Sequence, residues 1–445
     1  MSLIRLKTKT IHEQVSIKLP ASKSISNRAL VINHLSADPA HITNCSEAGD
    51  TRRLKSLLET MNRNKGSDSI TELDCGNAGT VARFITAVAA VTPGKWLVTG
   101  DSRMQERPMK PLIEALGRLG AEISPARQND FLPVIITGKN LPGGRVTIDG
   151  SVSSQFLTAL LLISPMFENG VVLQWENEPV SWPYLIMTLK MMAQCGINWS
   201  RKGNSIEVQP GRYRRCSLTV EPDWSAAAFW YEAVALQPRL RVSLKGLSMS
   251  GVHQRFQEMT TLPAGLPDFS CPEDLNPFPL QGDAVLPGLF RNFGVATSRK
   301  ENDLVLTNEG RRFQQLSELS FIACPDLAQP SITTCAALGI PALFTGLETL
   351  RVKETDRIQA LITELKALGF DIVQEGDTLR TTDHQPGKIT DRVSETWSDH
   401  RMAMSLAPLT LRYGQLTLKD PEVVAKSYPG FWNELSKILD ISSVE

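Results

Sequence analysis

The chain has 445 residues, 42% hydrophobic and 21% charged, and its 47 basic and 47 acidic side chains cancel. That length exceeds what one hydrophobic core usually serves, so two domains of roughly 200 residues each are expected. Zero net charge excludes a strongly basic nucleic-acid binder and a chain drawn to anionic membranes; any anion has to be held by local clusters.

Seven cysteines (Cys45, Cys75, Cys195, Cys216, Cys271, Cys324, Cys335) form no CxxC pair and no regular framework, which reads as reduced thiols of a cytoplasmic protein. The six histidines show no HExxH spacing, so no structural or catalytic metal is expected. The N-terminus MSLIRLKTKTIHEQ lacks the apolar core and cleavage site of a signal peptide. The longest apolar stretch, Phe156 to Phe167, falls short of the roughly 20 residues that a bilayer span needs.

In chain order, one pattern recurs six times: a turn of small polar residues opens into a helix apolar nearly all round. The copies are SKSISNRALVINHL from Ser22, GNAGTVARFITAVAAV from Gly76, GSVSSQFLTALLLI from Gly150, DWSAAAFWYEAVAL from Asp223, DLAQPSITTCAALG from Asp326 and SDHRMAMSLAPLTL from Ser398. A helix apolar on every side belongs inside, between other elements. After most copies comes a second, amphipathic helix: MKPLIEALGRLG, YLIMTLKMMAQCG, DAVLPGLFRNFG and the run holding Ile358, Leu361, Ile362, Leu365 and Leu368, with Thr355 as its N-cap. Each ends in Gly before a β-type run, at Ala121–Ile123, Ile197–Trp199, Val295–Thr297 and Phe370–Val373, as a left-handed C-cap requires. Six β/α units with buried and surface helices backing sheets follow from this rhythm. Pro263 to Pro279 is Pro-rich and unpatterned, and reads as an inserted loop.

The buried helices open with Ser, Gly, Asn or Asp, and a helix N-terminus offers unpaired N–H groups and a partial positive charge to anions. Lys23, Ser24 and Arg28 stand at one such opening, Ser153, Ser154 and Gln155 at another, and Gly76–Thr80 lets backbone approach a ligand. Charge interrupts apolar surroundings at Arg103–Pro108, at Arg351–Arg357, where Lys353 and Arg357 fall on one helical face, and at Ser398–Arg401. Solvated salt bridges usually account for charge runs, but buried charges demand partners. His400 by itself reads as a structural histidine. Seven cations, Lys23, Arg28, Arg107, Lys353, Arg357, Arg401 and Lys426, match in scale the about five to six negative charges of two phosphorylated carboxylic acids.

These stretches resemble the signatures of the EPSP synthases, members of the enolpyruvyl transferase family. Leu19–Ser24 with Asn27-Arg28, Gly76–Thr80, Met104–Pro108, Asp149–Phe156, Arg351–Arg357, Asp399–Met404 and Asp420-Pro421 through Lys426–Pro429 fall in family order, from about Leu19 to Leu435. The resemblance implies an α/β, two-domain enolpyruvyl transferase fold, each domain built from three βαβαββ units. It implies a discontinuous first domain, 1–19 and 221–445, a second domain, 20–220, and an active site in the cleft between them. Crossovers are expected near Pro20 and Val220.

The activity implied is transfer of the enolpyruvyl group of phosphoenolpyruvate to the 5-hydroxyl of shikimate 3-phosphate, by addition–elimination through a tetrahedral ketal. On the matching positions, shikimate 3-phosphate is expected to contact Lys23, Ser24, Arg28, Ser153, Ser154, Gln155, Ser181, Tyr184, Asp326 and Lys353. Phosphoenolpyruvate is expected at Lys23, Asn77, Gly79, Arg107, Gln155, Arg357, Arg401 and Lys426. Asp326 is the implied base for the hydroxyl, with Glu354 and Lys23 in proton traffic at C3. No cofactor or metal is implied, and the expected protein is a cytoplasmic monomer, sensitive to glyphosate, with small-molecule substrates and neither nucleic-acid nor membrane partner. Ala21, Phe84 and Thr349 depart from the usual Gly, Pro and Asn; Phe84 is expected to tilt the helix carrying Gly79. Two alternatives stand beside this reading. One is the sister transferase acting on UDP-N-acetylglucosamine, disfavoured by the absence of Cys between Gly100 and Glu106; the other is a non-catalytic anion-binding protein of the same fold.

Overall fold

A computed structural model describes residues 2–10, 14–247, 280–310, 316–389 and 392–444. The expected inserted loop, Pro263–Pro279, lies outside the described residues. The described residues divide into two compact units. Those within Met1–Ala21, Glu221–Thr261 and Gln281–Glu445 form the first, and those within Ser22–Val220, with Leu280, the second.

The first unit holds three four-stranded sheets. In the middle one, Glu318–Ser320 runs parallel to Ala342–Thr345, which pairs antiparallel with Thr378–Thr381, itself antiparallel to Ile372–Glu375. Helix Ala328–Leu338 links the parallel strands and helix Arg357–Ala367 follows, giving a βαβαββ repeat. The flanking repeats share this pattern but borrow strands across the sequence. Gln14–Ile17 pairs parallel with Arg241–Leu244, so Ser22–Val220 of the second unit lies in the chain between that strand and its helix Trp224–Leu236. Leu3–Thr8 fills the sheet between Gln415–Lys419 and Leu439–Val444. The second unit has two sheets of the same order and a third in which only Ile42–Thr43 and Leu218–Thr219 pair, in parallel.

The six apolar runs become the inner helices for the reason their composition gives. Every residue of Trp224–Leu236 and of Ala328–Leu338 is buried. Inside the first, Glu232 has no exposure; Thr333 Oγ1 donates to it at 2.5 Å, and burial pushes its carboxyl well above the usual range. Strands such as Val134–Gly138 and Val171–Trp175 alternate buried and half-buried residues, the period-two signature of a sheet with one inner face. Gly120, Gly196, Gly294 and Gly369 adopt φ of 99°, 84°, 87° and 100° just past their helices, as the C-cap reading requires.

Three expectations need correction. The strands after those glycines begin later in three cases, at Glu122, Trp199 and Ile372, because the caps consume a residue or two. Asp356, not Thr355, caps Arg357–Ala367, accepting from Gln359 N at 3.0 Å. The DAVLPGLFRNFG run is no surface helix: a 3-10 turn Gly282–Val285 and a short helix Leu286–Arg291 are largely buried, as is Trp182–Gln194. Their apolar residues fill both faces, leaving no polar stripe to turn outward. No helix among the described residues is long and apolar enough to cross a membrane.

Gly138 ends a strand against the last turn of helix Gly79–Val91, and a Cβ there would stand 1.8 Å from the Thr92 carbonyl oxygen and 2.4 Å from that of Ala89. Both obstacles are backbone. Gly138→Ala should therefore cost about 3 kcal/mol, visible as a lower denaturant midpoint; an unchanged midpoint contradicts this packing.

Candidate active site

In the second unit, helix Lys23–Leu35 is capped by Ser22, whose hydroxyl accepts from Ile25 N at 3.4 Å. Lys23 forms an ion pair with Asp50 at 3.2 Å, on the first turn of helix Gly49–Arg63. Arg28, one turn further on, is buried. Its Nε donates to Thr188 Oγ1 at 2.8 Å, Nη1 to the Ser24 carbonyl at 2.9 Å, and Nη2 to the Tyr184 carbonyl at 3.2 Å and Thr158 Oγ1 at 3.5 Å. The guanidinium carbon lies 5.8 Å from the Phe84 ring centroid and 5.7 Å from that of Tyr184. Among the described residues these hydrogen bonds all go to neutral oxygens, and burial pulls the Arg28 pKa down to about 10. Among the described residues, ring faces and dipoles are what stabilise this cation, so an anion placed beside it would gain attraction. Phe84 thus has a place of its own: it lies against Arg28.

Gly79 opens its helix beside two arginines. A Cβ there would meet Arg107 Nη2 at 2.5 Å and Arg83 Nη1 at 2.6 Å. Arg83 is held by the Gly79 carbonyl at 3.1 Å and the Pro108 carbonyl at 2.9 Å. Arg107 is buried, whereas Arg103 is half-buried and pairs with the exposed Glu106 at 3.2 Å. Asn77 sits two residues before Gly79 in the same turn. Ser153 caps helix Ser154–Ile163, accepting from Gln155 N at 3.2 Å, and this helix supplies the Thr158 that meets Arg28. Ser181 takes a left-handed φ of 57° to start Trp182–Gln194, which carries Tyr184 and Thr188.

In the first unit, Arg357 and Asp399 organise the charges. Asp399 caps helix His400–Leu406, accepting from Arg401 N at 2.7 Å, and also accepts from Arg357 Nε at 2.6 Å. Arg357 reaches Glu354 at 2.9 Å and Asp326 at 3.3 Å with its other nitrogens. Arg401 meets Asp326 Oδ2 at 2.9 Å and its carbonyl at 3.2 Å, and Lys426 meets Glu354 at 3.1 Å. Burial alone would lower the Arg357 pKa, but Asp399, Glu354 and Asp326 outweigh it and raise it.

The expected residues therefore gather in two sets. Asp326, Glu354, Arg357, Arg401 and Lys426 join in one ion-pair network. Lys23, Ser24, Arg28 and Tyr184 share a second neighbourhood, with Gly79 against Arg107. Lys353 and Arg357 do not share a helical face: Lys353 follows the 3-10 turn Glu348–Val352 in an extended conformation, and the helix begins only at Arg357. Sequence reasoning passed over Asp50, Arg83 and Thr188, and gave Asp399 no role. Only the Asp399 cap position, one residue before an apolar run, carried a readable signal.

Asp399 has no exposed surface and its partner Arg357 is 2% exposed. Asp399→Ala removes a cap and strands a buried guanidinium, so stability should fall by about 3–5 kcal/mol in chemical denaturation. A loss below about 1 kcal/mol means Arg357 finds other support.

The model of the EPSP synthase (3-phosphoshikimate 1-carboxyvinyltransferase) family matches residues 8–260 and 273–435. A 3-phosphoshikimate 1-carboxyvinyltransferase of Bacteroides fragilis is 39% identical over 429 residues, covering 95% of this chain and 95% of its own. One from Methanospirillum hungatei is 30% identical over 443 residues, again covering 95% of each chain. In fold, the chain is similar to a solved EPSP synthase of Acinetobacter baumannii, with a TM-score of 0.72, 20% identity and 100% of both chains covered. With a family model spanning nearly all its length and relatives alike from end to end, the chain belongs to the EPSP synthase family.

Proposed function

We propose that the protein transfers the enolpyruvyl group of phosphoenolpyruvate to the 5-hydroxyl of shikimate 3-phosphate and releases phosphate. The observation that carries this reading is the network in which Arg357 touches Asp326 at 3.3 Å and Glu354 at 2.9 Å. Two carboxylates lie beside cations suited to phosphate and carboxylate groups. Ser24, Arg28, Ser153, Ser154, Gln155, Ser181, Tyr184 and Lys353 would hold shikimate 3-phosphate. Asn77, Gly79, Arg107, Gln155, Arg357, Arg401 and Lys426 would hold phosphoenolpyruvate, with Lys23 serving both. The two compact units are read as the two domains of the enzyme.

The chemistry follows from placing charge. The hydroxyl oxygen bonds to C2 while Asp326 takes its proton, and C3 gains a proton from Glu354 or Lys23. The tetrahedral ketal then loses a proton from the methyl group as the C2–O bond to phosphate breaks. Arg357, Arg401 and Lys426 would stabilise the negative charge that builds on the carboxylate and departing phosphate. The scattered cysteines and balanced charge support a cytoplasmic protein, and nothing in the proposed roles requires a second copy of the chain.

Phosphate release in a coupled assay with both substrates should be robust in the native chain. Lys23→Ala and Arg401→Ala should each lower turnover about 100-fold or more while leaving the circular dichroism spectrum intact. Near-native rates in either variant would falsify the anion-cradle reading.

Glyphosate should compete with phosphoenolpyruvate for the same cations. At Gly79 an added methyl meets guanidinium ends, which yield more readily than backbone, so Gly79→Ala should fold normally. It would displace Arg107, and both glyphosate and phosphoenolpyruvate should bind more weakly, by about tenfold or more. Steady-state inhibition checks this; unchanged KM and inhibition constants would mean that Arg107 is not a ligand contact.

A further inference from the structure

The turn that delivers Asp399 to its partners is built from residues that resist its backbone shape. Trp397 and Ser398 take left-handed φ of 55° and 54°, and Asp399 N closes the turn by donating to the Thr396 carbonyl at 2.9 Å. Positive φ at both central residues is the pattern of a type I′ turn, which draws Gly, Asn or Asp. A tryptophan there is held against its preference, and such strain persists only where the surroundings over-determine the backbone. Thr396 and Asp399 are buried, yet Trp397 leaves 38% of its surface in water. Its ring is no core filler; what it supplies is an N–H. Trp397 Nε1 donates to Glu364 Oε1 at 3.0 Å. Glu364 has no exposure, and its other oxygen accepts from Arg392 Nη2 at 3.2 Å. Glu364 stands about two turns after Arg357 on helix Arg357–Ala367, so the two side chains leave the same face. The segment is thereby clipped to one helix twice, by Trp397 on Glu364 and by Asp399 on Arg357 Nε at 2.6 Å. Only Ser398 separates the clips.

We propose that Trp397 is a positioning residue for phosphoenolpyruvate: its indole N–H, anchored on Glu364, holds the Thr396–Asp399 turn in its left-handed form and so keeps Asp399 on Arg357. This rests on the enolpyruvyl-transfer reading, in which Arg357 and Arg401 meet that substrate. Without the anchor the turn loses the contact that opposes its strain, and the backbone at Trp397 relaxes toward negative φ. The Asp399 carboxylate moves with it, and Arg357 Nε and Arg401 N lose a fixed acceptor. Both guanidinium groups keep their charge, so what is lost is direction rather than attraction. Anchor and strain make opposite demands on a substitution. Phenylalanine keeps most of the ring but has no donor and no ease at positive φ, whereas glycine deletes the ring and takes positive φ freely. Arg28, the cation read as meeting shikimate 3-phosphate, donates to partners within the second unit. Affinity for that substrate is therefore the internal control.

The test uses the full chain. Trp397→Phe should raise KM for phosphoenolpyruvate about tenfold and leave KM for shikimate 3-phosphate within about twofold of native. Trp397→Gly should lie closer to native, about twofold to threefold up for phosphoenolpyruvate, because its turn forms unopposed. A ring that merely packs gives the reverse order, with glycine the worse variant, and that order overturns the proposal. A native KM for phosphoenolpyruvate in Trp397→Phe, or an equal loss for both substrates, overturns it as well. A second readout needs no activity. In the 15N-labelled chain the Arg357 Nε–H signal, identified by its absence from Arg357→Lys, should exchange with water about tenfold faster in Trp397→Phe than in the native protein. Unchanged exchange means that the indole does not hold Asp399 on Arg357. Absence of phosphate release from the native chain would instead sink the enolpyruvyl reading, and the exchange rates would still decide what Trp397 holds.

Discussion

The Asp399 carboxylate is the constraint on which the charged half of the first unit depends. One of its oxygens is fixed by the backbone N–H of Arg401, so the side chain cannot rotate without uncapping its helix. Its bond to Arg357 Nε at 2.6 Å then sets the plane of that guanidinium. A guanidinium is a rigid fork, and once one edge is set the directions of its remaining N–H groups follow. Those directions lead to Asp326 and Glu354, the two carboxylates to which proton transfer is assigned. A lysine at 357 could neutralise one partner but could not hold three in fixed geometry.

Much of this was legible in the sequence, because the six inner helices are apolar on all faces, and a helix of that kind is stable in water only when other elements surround it. The glycine stops were equally legible, since each serves a left-handed cap. What the sequence could not give is which repeat touches which. Thr188 meets Arg28 from 160 positions away, and Asp399 meets Arg357 across 42. Neither spacing leaves a local period to read. Phe84 illustrates the same limit. As a sequence feature it is a bulky departure where family members carry Pro, whereas in the folded unit its ring lies 5.8 Å from the Arg28 guanidinium.

The two units also handle buried positive charge in opposite ways, and the difference has an energetic meaning. In the first, Arg357, Arg401 and Lys426 already face Asp326, Glu354 and Asp399, so the proposed phosphate would have to displace or share existing partners. In the second, Arg28 leans on hydroxyls, carbonyls and two aromatic rings, and its buried charge stays only partly compensated. An anion placed there gains attraction without surrendering an ion pair. Of these two arrangements, the one around Arg28 would pull harder on an anion. The network around Arg357 contributes geometry more than raw attraction, because its carboxylates temper the field that its cations would otherwise exert. The proposed transfer would draw on both arrangements: a partly compensated cation to attract charge, and a balanced cluster to hold carboxylates beside cations.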